Sequence, residues 1–122
     1  MKKLIRKLPA LIVAAFIWIL SSQSVLPRPP GIPAFDKAAH FAVYAVLAAA
    51  LSLWFPGGKR SCLRVLILTI CIASIYGVVD EIHQYFVPGR DCSLWDWIAD
   101  ALGAAAGGGV ALMVWRLADK GR

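Results

Sequence analysis

Four mostly apolar stretches of about twenty residues each, separated by short segments rich in proline, glycine or charge, occupy nearly the whole of this chain. That pattern admits few folds. A helix crosses the hydrocarbon core of a bilayer, about 30 Å thick, with roughly 20 consecutive apolar residues, and the stretches have that length. Of the 122 residues, 60% are hydrophobic and only 16% charged. A water-soluble fold of this size would have to bury more apolar surface than it can enclose. The expected fold is therefore all-α, an integral membrane bundle of four transmembrane helices over about residues 8–26, 36–55, 63–86 and 94–115, as one domain across 1–122.

Breakers bound each helix. Pro27-Arg28-Pro29-Pro30-Gly31-Ile32-Pro33 cannot continue a helix, because proline lacks a backbone donor and fixes φ, so it reads as an extended connector. Pro56-Gly57-Gly58 and Pro88-Gly89 close the second and third helices. The basic start through Lys7 and the apolar run after it also have the layout of a signal peptide. Ser22-Gln23-Ser24 and the prolines that follow nevertheless read as a helix end, and retention as a membrane helix is expected.

The net charge of +6 does not mark a nucleic-acid surface, because Lys and Arg sit in short clusters between apolar runs, as orientation signals do. Ten of them, four near the start, three around Lys59 and three at the end, fall on one side, against Arg28, Lys37 and Arg90 on the other. The positive-inside rule puts both termini and the Lys59 connection in the cytoplasm. On this topology Cys62, Cys71 and Cys92 lie at three depths, so no intramolecular disulfide is expected, and no Cys-x-x-Cys unit suggests a zinc thiolate.

The acidic residues show the opposite bias. Only Asp119 lies on the inner side, whereas Asp36, Asp80, Glu81, Asp91, Asp96 and Asp100, with His40 and His83, lie at or near the outer side. Carboxylates contribute little to orientation, so the grouping calls for another cause. Asp36, His40 and Tyr44, at i, i+4 and i+8, form one stripe descending from the outer surface. Singly, Asp36 is also a favourable helix-start carboxylate and His40 a core imidazole. Asp80, Glu81 and Gln84 share an arc of the third helix, with His83 beyond Asp80. Two adjacent carboxylates near a bilayer need a proton on one of them or a neutralising cation, for which Arg90, Lys37, His40 or a metal would serve. Pro88-Gly89-Arg90-Asp91 makes a tight turn that holds Arg90 over the bundle mouth, as an ion-pair partner or as a reader of anions. Ser93-x-x-Asp96 fits a capping box, so Asp96 is a helix cap or a site residue. Asp100 continues that face above Gly103 and Gly107, a spacing that lets a neighbouring backbone approach closely.

Taken together, these residues resemble the VanZ-like family, membrane proteins named after a teicoplanin-resistance protein. The carriers are Ser21-Ser22-Gln23-Ser24, Asp36-Lys37-x-x-His40-Phe41-x-x-Tyr44, Asp80-Glu81-x-His83-Gln84 with Pro88-Gly89-Arg90, and Asp96-x-x-x-Asp100-x-x-Gly103 with Gly107. The resemblance covers essentially the whole chain, with Asp100 where many relatives have Asn. It implies a multi-pass protein of the bacterial cytoplasmic membrane, linked to the cell envelope and to glycopeptide resistance, and it supplies no chemical mechanism.

Three functions compete. In the first, an outward-facing site binds or processes an envelope lipid or anion: Asp80, Glu81 and His40 move protons, while Arg90 and Lys37, with Gln84, Tyr44, Asp36, Asp96 and Asp100, hold the ligand. A metal version would use His40 with Glu81, Asp80 or Asp100, but no ligand spacing demands it and no cofactor is assigned. The second is a small proton-coupled transporter, although Asp80 and Glu81 stand nearer a helix end than the bilayer midplane. The third is a network that only locks the helices together. Lipid-phosphatase and Ser-His-Asp hydrolase motifs are absent.

Overall fold

Helix ends are set by proline and by polar side chains in the computed structural model, which describes residues 2–26, 29–31, 34–55 and 62–121, with side chains from Leu4 onward. The expectations for Arg28, Lys59, Arg60, Arg122 and parts of the two connectors lie outside the described residues. A short α1 (Lys2–Ile5) leads into α2 (Leu8–Ser21), followed by α3 (Phe35–Ser52), α4 (Cys62–Tyr85) and α5 (Leu94–Lys120). Pro9 has no N–H for the Ile5 carbonyl, which accounts for the break between α1 and α2. At its other end α2 stops at Ser21, short of the expected Leu26. Ser22 Oγ donates to the Trp18 carbonyl at 2.7 Å and Gln23 Nε2 to the Ile19 carbonyl at 3.2 Å, so side chains satisfy the last turn. Conversely, α5 runs past the expected residue 115 to Lys120, since nothing after Trp115 breaks a helix before Gly121.

Among the described residues the chain is all-α. Two of the described helices, α4 with 24 residues and α5 with 27, are long and apolar enough to cross a membrane. The 14 residues of α2 span about 21 Å, and α3 carries Asp36, Lys37 and His40. The distribution of side chains is inverted relative to a soluble protein. Ile12, Phe16, Ile19, Val46, Ile67, Ile75, Val110 and Val114 are exposed, whereas Ser21, Ser52, Thr69, Asp80, Glu81, Gln84 and Asp100 are buried. Such an apolar outer surface belongs in lipid.

Small residues bring the helices close. A Cβ on Gly103 would overlap the Phe41 carbonyl oxygen and lie 2.9 Å from the Phe41 Cα; one on Gly107 would overlap Ala45 in the same way, 2.6 Å from its Cα. The backbones of α3 and α5 therefore touch along this face. On α4, Gly77 leaves room for Asp100 and Trp97 of α5, with a Cβ there only 2.9 Å from Asp100 Oδ2. Between α4 and α5, the Arg90 N–H bonds the Val87 carbonyl at 3.1 Å across Pro88 and Gly89, whose φ of +80° suits a type II turn.

Candidate functional site

The stripe on α3 delivers His40 to the middle of a carboxylate cluster. Its Nδ1 lies 2.7 Å from Asp100 Oδ1 of α5 and 3.9 Å from Glu81 Oε1 of α4, while its Nε2 lies 3.9 Å from Asp96 Oδ2. Glu81 and Asp100 are buried, and the His40 side chain is only 11% exposed. When Asp100 is ionised, the short contact is an Nδ1–H donated to its carboxylate, which orients the ring and leaves Nε2 as the lone pair of a base. Lys37 Nζ, one turn above His40, donates to Asp96 Oδ1 at 3.0 Å.

Ser93 ties this centre to the start of α5. Its Oγ accepts from the Asp96 N–H at 3.4 Å, the expected N-cap. The reciprocal bond of a capping box comes from a different helix, for the Ser93 N–H donates to Glu81 Oε2 at 2.8 Å. Asp96 is thereby released to face His40 and Lys37, so it caps nothing and belongs to the polar set.

Asp80 and Glu81, adjacent in sequence, point to different partners. Gln84 Nε2 donates to Asp80 Oδ2 at 3.0 Å and to Ser21 Oγ of α2 at 3.3 Å, and Gln84 Oε1 accepts from Arg90 Nη2 at 2.8 Å. Arg90 does not take the ion-pair role weighed from the sequence. Among the described residues it meets no carboxylate at ion-pair distance, and Gln84 is the partner of its guanidinium. Asp36 sits in the first turn of α3, where the macrodipole favours it.

Helix α2 contributes polar contacts as well as apolar packing. Besides Ser21, Trp18 stacks on His83 with ring centroids 3.9 Å apart, and Ser22 Oγ lies 3.5 Å from His83 Nε2. The hint was present in Ser21-Ser22-Gln23, whose hydroxyls close α2 beside the end of α4. Tyr44 is fully buried, its ring 6.5 Å from that of His40 and 6.3 Å from that of Tyr76. Five buried side-chain atoms lack a hydrogen-bond partner among the described residues: Tyr44 OH, Asp80 Oδ1, Glu81 Oε1, His83 Nδ1 and Asp100 Oδ2. A cavity of about 60 Å³, room for a few waters, lies between α2, α3 and α4. Ile17, Leu20, Leu26 and Val43 form its apolar wall, and Ser21, His40, Tyr44, Asp80 and Arg90 its polar one.

Apolar outer helix faces around a cluster of buried acids, with His40 and Arg90 partly buried beside it, are those of a membrane protein. Residues 2–116 match the VanZ/LLP1 family, and the chain belongs to that family. No curated protein and no solved structure matches the chain.

Proposed function

We propose that this VanZ-like protein spans the bacterial cytoplasmic membrane four times, with both termini inside, and that its outward-facing polar end binds a phosphate-bearing envelope lipid. The cavity carries this reading. Its polar wall ends at Arg90, whose planar fork has donors beyond the one given to Gln84, so the recess suits part of a headgroup, while the lipid's chain would lie along the exposed apolar faces of the helices. Lys37 and Asp36 flank the start of α3, and the buried acids with His40 supply the groups that would move a proton on the bound ligand. A connection to glycopeptide resistance would follow from binding an envelope lipid at that surface.

A purely structural network is the weaker reading, because each orphaned buried polar atom costs about 1–3 kcal/mol, which a lock between helices has no reason to carry. Position argues against a transporter, since Glu81 lies within the last turns of α4, which ends at Tyr85. The test is thermal unfolding of the detergent-purified protein with phosphatidic acid or the phosphate-free diacylglycerol added. The anionic lipid is expected to raise the midpoint in wild type and not in Arg90→Gln, whereas equal shifts from both lipids would refute a phosphate-reading site.

A further inference from the structure

We propose that His40, Glu81 and Asp100 form a binding site for one divalent transition ion of the zinc class. The site goes beyond lipid binding and does not rest on it; with the ion bound, Asp80 is the buried acid left to move a proton. One donor atom from each residue lies within 4.8 Å of the other two, and the three residues come from three different helices. Donors around a tetrahedral zinc at about 2.0–2.1 Å sit roughly 3.3 Å apart. The distances from His40 Nδ1, 2.7 Å to Asp100 Oδ1 and 3.9 Å to Glu81 Oε1, bracket that value.

Two further observations point to a ligand. Among the described residues, Glu81 Oε1 is buried without a hydrogen-bond partner and faces His40 Nδ1, and the fully buried Tyr44 hydroxyl also lacks one, on a ring 6.5 Å from that of His40. Charge gives the valence. With His40 neutral and its proton on Nε2, which frees Nδ1 to ligate, the carboxylates of Glu81 and Asp100 carry two negative charges that a dication balances. The nearby cations do not neutralise them: Lys37 pairs with Asp96, and among the described residues Arg90 meets no carboxylate at ion-pair distance. An imidazole nitrogen with carboxylate oxygens favours zinc or its transition-metal neighbours over magnesium or calcium. An outer shell is also in place. Glu81 Oε2 is held by the Ser93 N–H, and the far nitrogen of His40, its Nε2, lies 3.9 Å from Asp96 Oδ2, on the side from which a carboxylate orients a metal-binding imidazole.

The experiment is metal analysis of the full chain, purified in detergent with a histidine-free tag and no chelator, followed by zinc titration of the chelator-stripped protein. The expected result is one zinc per chain, with binding weakened at least ~10-fold in Glu81→Gln and in Asp100→Asn and unchanged in Asp91→Asn, whose side chain is exposed. Cobalt added to the stripped wild type is expected to give visible bands of nitrogen and oxygen ligation, a readout that holds even where a variant fails to fold. A wild type that neither carries nor takes up zinc, or zinc retained by both folded carboxylate variants, would overturn the site.

Discussion

Replacing Gly107 with alanine separates the two opposing consequences of a methyl group on α5. The new Cβ would meet the Ala45 carbonyl and stand 2.6 Å from the Ala45 Cα, where ordinary contact needs about 3.5–4.0 Å. Helices α3 and α5 must therefore part by about 1 Å, and overpacking of this kind costs about 1–3 kcal/mol. Against it stands the helix preference of alanine over glycine, at most about 1 kcal/mol. The expected net effect is a loss of about 1–2 kcal/mol. Gly109, two residues along the same helix, has nothing within 4 Å of the corresponding Cβ, so only the gain remains and Gly109→Ala is expected to stabilise. Unfolding by sodium dodecyl sulfate from mild detergent micelles, followed by circular dichroism, measures both variants on one scale. Gly107→Ala as stable as wild type, or both variants shifted in the same direction, would refute the backbone contact. Gly103→Ala should additionally disturb the polar end, because Gly103 packs on Phe41, next to His40.

Gln84→Ala removes three side-chain bonds, one from a guanidinium, and is expected to destabilise by about 3 kcal/mol in the same assay; a loss under about 1 kcal/mol would contradict the role of Gln84 as the link between α2, α4 and the turn. Ser93→Ala should cost about 1 kcal/mol through the lost N-cap, while Ser93→Pro, which also removes the N–H held by Glu81, should cost clearly more. For the topology, an impermeant maleimide applied to intact cells is expected to label the exposed Cys92, with Cys62 labelled only after permeabilisation. Labelling of Cys62 alone from outside would invert the orientation.

Hydropathy made the helices legible, and the spacing of Asp36, His40 and Tyr44 made one polar face legible, because both are periodic properties of a single segment. What escaped were events that periodicity does not register. Ser22 and Gln23 turn their side chains back on α2 and end it early, and Arg116 and Lys120 prolong α5 because charge ends an apolar run without ending a helix. The partners of the acids were equally hidden. Glu81 is held by a backbone N–H, an identity-free donor on a loop, and Arg90 reaches an amide where its charge suggested a carboxylate.

The two ends of the bundle solve the same problem differently. At the end away from His40, the buried hydroxyls of Ser52 and Thr69 donate to carbonyls of their own helices, Ala49 at 2.6 Å and Leu66 at 2.9 Å, so burial there asks nothing of a neighbouring helix. At the His40 end, four acids, an imidazole and a phenol converge from three helices, and buried oxygens on Tyr44, Asp80, Glu81 and Asp100 stay unmatched among the described residues. Helix packing alone does not require that difference, since α3 and α5 are already held by backbone contact at Gly103 and Gly107. Unmatched carboxylates persist where a bound cation, a proton or a ligand completes them, a contrast that supports the site proposed at the polar end.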